Sequence, residues 1–343
     1  MLKLRMHKLK QMIVYMFLAL VFISIGWFGR ILYTLPKNSA VEKTISQIIK
    51  PTPLVKYQID NLSNTNISES QIVVGDLISE TNDYSTYKYF MQFSPDMSGN
   101  LKKVSGIINV PKGKGPFPVI VMFRGFVSQE TYIMGTGTQP SAKVFAKNGY
   151  ITVAPDFLGY GESDKEASDI FETRFQTWVT AISTLKSVNS IEKWNGKNIL
   201  IWGHSNGGQV ALTTLEITGF DYPTVLWAPV SMRFPASILY YIDEAKDGGK
   251  FLIDQVAKFN EIYNASNFSL TNYYPQIKAP IQINQGTADT AVPYWLTDNL
   301  NKRLKDATVS AIYIKYPGAD HNMRPSWDKA VENSLLFFNQ HLK

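Results

Sequence analysis

The sequence predicts an α/β fold: a mostly parallel central sheet with helices on both faces and a small helical insertion, preceded by one N-terminal transmembrane helix. Three observations predict it. Uninterrupted apolar runs recur along the chain, the mark of strands buried on both faces. Amphipathic helical patterns lie between them, the alternation that builds a parallel sheet. One uncharged apolar segment of spanning length follows a basic arm near residue 1.

Taken in order, residues 1–10 carry Lys3, Arg5, Lys8 and Lys10 and are predicted to be a cytoplasmic arm. Residues 11–29 contain no charge. As a helix they span about 28 Å, close to the hydrocarbon thickness of a bilayer. Trp27 and Tyr33 stand where interfacial aromatics belong. A buried core helix or a cleaved signal peptide would also be apolar. Ser24 and Gly26 form a small-x-small pair, but Trp27, Phe28 and Arg30 are poor surroundings for cleavage, which favours an uncleaved anchor. Four basic residues precede the segment and Arg30, Lys37 and Lys43 follow it. That bias predicts a single-pass protein with its N-terminus cytoplasmic and its body on the extracytoplasmic side. Residues 30–54, with Pro51 and Pro53, read as a tether, and 55–343 as the folded domain.

The charge of the chain follows this division. Of 34 basic and 28 acidic residues, eight basic and one acidic fall in the first fifty, leaving 26 against 27 in the body. The net charge of +6 therefore belongs to the arm and tether and predicts no nucleic-acid partner. Cysteine is absent, which excludes a disulfide scaffold, a thiol nucleophile and thiolate metal sites.

Within the body, 87–93 and 103–110 read as strands around a turn-rich stretch. Buried strands are predicted at 118–123, 150–154, 198–202, 224–228, 281–284 and 309–316. Between them, Phe171, Phe175, Trp178, Ile182 and Leu185 recur at helical spacing, as do Trp327, Val331, Leu335, Phe338 and Leu342. Segment 231–274 breaks the rhythm and is rich in aromatics. It reads either as a lid whose side chains, Tyr240 and Tyr241 among them, line an apolar pocket, or as ordinary helix packing.

In such sheets chemistry collects beyond the carboxyl ends of the strands. After the run 198–202 comes Gly203-His204-Ser205-Asn206-Gly207, a G-x-S-x-G with a helical pattern behind it. That context predicts a strained strand-to-helix turn presenting the Ser205 hydroxyl. A serine needs a base. Of four histidines, His7 lies in the arm, His204 adjoins the serine and His341 is two residues from the last. His321, in the loop after 309–316, is therefore the candidate base. Its carboxylate partner is predicted to be Asp289, in a glycine turn after 281–284, with the adjacent Asp320 as the weaker alternative. The order Ser, Asp, His matches the strand-to-helix version of this triad. Oxyanion donors are predicted at the amides of Asn206 and Phe126, the latter in the loop Arg124-Gly125-Phe126 after 118–123.

These motifs resemble the α/β-hydrolases, and among them the prolyl oligopeptidase catalytic domain and the dienelactone-hydrolase-like esterases. The likeness covers about 87–343 and rests on GHSNGG at 203–208, GTADTAVP at 286–293, YPGADHN at 316–322 and PDFLGYGES at 155–163. It implies a serine hydrolase that cleaves an ester or a short peptide through an acyl-enzyme. Asp156, Gly159 and Gly161 then read as structural. Arg124 stands where the family usually has histidine. It either packs structurally or offers a cation to an acidic substrate. The interval before the first strand is too short for a propeller, which turns the expectation from endopeptidase toward ester or short-peptide hydrolysis. No phosphate loop, dinucleotide loop or metal-ligand cluster is present in the sequence, so no cofactor or metal is expected. The competing class is a non-catalytic binding scaffold on the same fold.

Overall fold

A nine-stranded sheet runs in the order β1-β2-β3-β5-β4-β6-β7-β8-β9 through a computed structural model that describes residues 51–244 and 247–343. The strands are β1 (Val73–Glu80), β2 (Tyr84–Phe93), β3 (Lys102–Pro111), β4 (Phe117–Phe123), β5 (Ile151–Pro155), β6 (Trp194–His204), β7 (Thr224–Trp227), β8 (Ile281–Gly286) and β9 (Ala311–Tyr316). The first three pair antiparallel, β3 meets β5 antiparallel, and every pairing from β5 to β9 is parallel. The helices are α1 (Ile59–Ser63), α2 (Gln139–Lys147), α3 (Ile170–Lys186), α4 (Asn206–Thr218), α5 (Ala236–Leu239), α6 (Lys250–Ile262), α7 (Tyr294–Asp306) and α8 (Trp327–Gln340).

The apolar runs work because successive strand residues face opposite ways. Val119, Val121 and Phe123 of β4 enter one core with α3, α4 and α7, while Ile120 and Met122 enter a second core with α2 and α8. β6 repeats the pattern, with Ile199 and Ile201 on the first face and Leu200 and Trp202 on the second. Both faces of the central strands are thereby dry, which is why these segments read as unbroken hydrophobic runs. Helix α3 starts where its sequence directs: Asp169 Oδ1 accepts from the amides of Phe171 and Glu172, both at 2.9 Å, satisfying two orphan donors.

Strand β1 is absent from the sequence prediction. All eight of its residues are exposed, and its pairing with β2 is irregular between Val74 and Ser79. With neither face buried it shows no alternation, the signal by which strands are read. The predicted arm, the membrane segment 11–29 and the tether up to residue 50 lie outside the described residues. Among the described residues no helix is long and apolar enough to cross a membrane. Residues Pro53–Lys343 form one compact unit.

Segment 231–274 supplies α5, α6 and several short 3-10 turns. Phe234, Phe259 and Phe268 pack onto Phe171 and Phe175 of α3 with ring centroids 4.8–6.4 Å apart. Most of its aromatics thus fill the core, as in the plainer of the two sequence readings.

One buried acid gives a stability prediction. Glu216 on α4 is 1% exposed, and neither carboxyl oxygen has a hydrogen-bond partner among the described residues. Burial pushes its pKa well above the usual carboxylate range. The native state holds the proton, whereas the unfolded chain releases it above about pH 4.3. Stability is therefore lost as pH rises from that value toward the folded pKa. In Glu216→Gln this loss disappears, so the melting temperature of the variant gains on wild type between pH 5 and pH 8 and the gap closes near pH 4. Parallel melting curves across that range would contradict the assignment.

Candidate active site

Among the described serines, Ser205 at the junction of β6 and α4 is the one with a positive φ. Ser205 has φ 54° and ψ −119°, outside every favoured region for an L-residue. Such a conformation persists only where its surroundings over-determine it. Here the Ser205 amide donates to Trp227 O at 2.9 Å, and Ser205 O accepts from Gly208 N and Val230 N, both at 3.0 Å. Close approach requires the flanking glycines. A Cβ at Gly203 would lie 2.7 Å from Gly207 O, and one at Gly207 would lie 2.0 Å from Phe123 O. A Cβ at Gly125 would stand 3.1 Å from the Ser205 Cβ, so the loop after β4 lies against the serine.

His321 and Asp289 meet across two strand ends. His321 Nδ1 donates to Asp289 Oδ2 at 2.9 Å. The Asp289 side chain is fully buried, while that of His321 is 23% exposed. Burial alone would raise the Asp289 pKa. The bonds from His321, from the Val292 amide (2.8 Å) and from Gln285 Nε2 (3.0 Å) outweigh it and hold the carboxyl below its usual value. Ala291 N donates to the same Oδ1 at 2.9 Å. Asp320, the alternative partner, instead accepts from the amides of Asn322 and Arg324, both at 2.8 Å, and shapes its own loop. Among the described residues no hydrogen bond joins Ser205 Oγ to His321. Such bonds are often loose in unliganded sites and tighten around substrate.

His204 links the two. Its Nε2–H donates to His321 O at 2.9 Å, and the two rings lie 4.7 Å apart. Burial, reinforced by the neighbouring His321, pulls its pKa down to about 4. A neutral His204 therefore braces the backbone of His321. The sequence pointed away from it as a base and left no sign of this contact, which joins residues 117 positions apart. Gln285 is a second residue that sequence reasoning missed. Besides Asp289, it donates to Val292 O (3.0 Å) and accepts from Thr297 Oγ1 (2.7 Å). Its only sequence signal is a polar side chain at the end of an otherwise buried strand.

A cavity of about 180 Å³ opens beside Asn206 and Phe126, the two residues whose amides were expected to hold an oxyanion. The Asn206 amide belongs to the first turn of α4, where donors lack intrahelical partners. Arg124, the third residue of interest in this loop region, is 6% exposed. It donates to Gly125 O and Asp156 O, both at 3.0 Å, and lies 3.9 Å over the Tyr160 ring. Asp156 in turn accepts from Ser105 Oγ (2.6 Å) and Tyr132 Oη (2.5 Å). These contacts fit the packing role, while the guanidinium also lines the cavity and its buried Nε has no hydrogen-bond partner among the described residues. Tyr240 and Tyr241 lie outside the walls of the cavity. Tyr240 is exposed, and Tyr241 Oη donates to Ala291 O at 3.2 Å, bracing the turn that presents Asp289.

Comparison with known proteins agrees with this architecture. The prolyl oligopeptidase family model matches residues 137–343. An acetyl esterase of Xylanibacter ruminicola is 21% identical over 304 residues, covering 80% of this chain and 67% of that protein. The acetyl xylan esterase of Paenibacillus sp. R4 superposes with a TM-score of 0.64 at 18% identity, over 86% of this chain and 98% of that one. A puromycin-hydrolyzing peptidase of Mycobacterium tuberculosis superposes with a TM-score of 0.52 at 16% identity, over 80% of this chain and 39% of that one. The solved structures establish the α/β-hydrolase fold, and the family match makes the protein a serine hydrolase of esterase or peptidase type. The chain belongs to the prolyl oligopeptidase family.

Proposed function

We propose that the protein hydrolyses small acyl esters through an acyl-enzyme on Ser205. One observation carries the reading: a strained serine at a strand-to-helix turn, whose neighbour His204 touches a histidine already paired to a buried carboxylate. In this mechanism Ser205 Oγ attacks the acyl carbon while His321 Nε2 takes its proton. Asp289 holds the ring in the tautomer that keeps Nε2 free to accept and stabilises the imidazolium that forms. The amides of Asn206 and Phe126 receive the developing oxyanion. His321 then gives its proton to the leaving oxygen, the acyl-serine forms, and a water activated by His321 releases the acid. The cavity of about 180 Å³ favours a short acyl group. Acetyl ester cleavage, named for two of the similar proteins, fits that size.

A fluorophosphonate probe tests the reading. Wild type is labelled and Ser205→Ala is not. A folded wild type that resists labelling would favour the non-catalytic scaffold. Family membership also keeps peptide bonds in view. Parallel assays with para-nitrophenyl acetate and a dipeptide amide separate the two, and we expect turnover of the ester alone.

The basic arm and the uncharged segment 11–29 support a further part of the proposal, that the enzyme is membrane-anchored with its catalytic body extracytoplasmic. Alkaline extraction of membranes, with protease accessibility of the body in sealed vesicles, tests it. Release into the soluble fraction would reject anchoring.

A further inference from the structure

The cavity beside Asn206 is lined by a cation that pairs with no carboxylate among the described residues. Arg174 sits in the first turns of α3 and reaches the cavity wall. A cation near a helix N-terminus opposes the macrodipole, so the helix gains nothing from it. Its Nη2 donates to Gln209 Oε1 and, at 3.5 Å, to Ser237 Oγ. No ion pair from Arg174 to a carboxylate occurs among the described residues, and the phenol of Tyr241 is its electrostatic neighbour. Burial lowers the Arg174 pKa to about 10, with the nearby Tyr241 opposing the shift. One carboxylate lies on the same wall, that of Glu166, but it is turned toward Gly159, where a Cβ would come within 2.9 Å of Oε2. The other guanidinium, Arg124, is held by two carbonyls and an aromatic face.

The position of Arg174 is set from the catalytic helix. Gln209 lies three residues after Asn206 on α4, hence on the same face. It is 4% exposed, and its own Nε2 donates to Met232 O at 3.5 Å. The hydrogen bond from Arg174 to Gln209 therefore fixes the cation relative to the amide that faces the oxyanion. Arg174 is half-buried on the cavity wall, and a carboxylate entering there could complete its guanidinium with two parallel charge-assisted bonds.

We propose that this site selects esters that carry a carboxylate, bound by Arg174 in the cavity beside the scissile carbonyl. The inference deepens the reading of Ser205 as nucleophile and rests on it. The class of substrate is a half-ester of a short dicarboxylic acid, or an acyl ester of a hydroxy acid, depending on which side of the ester enters the cavity.

Two matched pairs of probes decide the matter. Monomethyl glutarate against monomethyl glutaramate places the charge on the acyl side, and para-acetoxybenzoate against para-acetoxybenzamide places it on the leaving group. For wild type, kcat/KM for the anionic member exceeds that of its neutral mate by about tenfold or more in one pair, the scale of a charge-assisted hydrogen bond. The ratio falls to about one in Arg174→Gln and is partly kept in Arg174→Lys. Because the ratio is read within each variant, a general loss of activity cancels. Ratios near one in both pairs for wild type, or a preference unchanged in Arg174→Gln, would overturn the proposal. The para-nitrophenyl acetate assay separates the two levels. Turnover of that ester without an anionic preference removes the Arg174 inference alone, whereas a folded enzyme that turns over none of the five esters removes the Ser205 reading as well.

Discussion

Alanine at Ser205 lowers kcat/KM for an aryl ester by about ten-thousandfold to a millionfold, with the circular dichroism and melting temperature of wild type retained. The size follows from the unit the residues form. A hydroxyl without its base, or a base without its hydroxyl, forfeits the same covalent route, so His321→Ala costs a similar factor and the double variant is no worse than either. Asp289→Asn tests the remaining member. It keeps the shape of the turn, but an amide nitrogen facing His321 Nδ1 forces the ring toward the wrong tautomer, for a loss of about ten-thousandfold. The oxyanion amides survive in all of these variants and leave a residual rate above that of water. Additive losses in the Ser205/His321 double variant would show that the two act independently and would break the proposed mechanism.

Gly207→Ala has the largest expected effect on folding. Local propensity favours it, since alanine in a helix is better than glycine by up to about 1 kcal/mol. Tertiary geometry reverses the sign. The new Cβ would lie 2.0 Å from Phe123 O and 2.6 Å from Arg124 O, backbone atoms at the end of a central strand that have no rotamer to escape into. Relief requires prising α4 from the sheet, which opens the core on that face. We expect a loss of about 4 kcal/mol or more and a melting temperature lower by roughly ten degrees or more. Gly75→Ala is the control. Its nearest neighbour would be a side-chain atom at 3.5 Å on an exposed edge, and its melting temperature should match wild type. A Gly207→Ala protein as stable as that control would mean the helix does not sit where described.

How far the sequence speaks depends on which physical signal each residue leaves. Ser205, Asp289 and His321 could be nominated because each follows a buried apolar run and sits among turn residues, and a hydrogen bond joins the last two. The central strands were legible for the same reason, since both of their faces are dry. Gln285, His204 and Arg174 left no such trace. Their roles arise from partners 4, 117 and 35 residues away in the chain, brought together only by packing. β1 was silent because it buries nothing. The aromatics of 231–274 announced burial but not against what, since a pocket wall and a helix contact ask for the same side chains. Arg124 was equally ambiguous in the sequence, and it both stacks on Tyr160 and lines the cavity.

The hydrogen bond from Tyr241 to Ala291 ties the excursion at 231–274 to the turn on which the acid stands. Exchanging that excursion for one from a relative, the usual route to altered selectivity in engineering, carries a hidden requirement. A graft that discards the phenol loosens the carboxylate, and a fall in turnover would then be mistaken for a poorly chosen pocket.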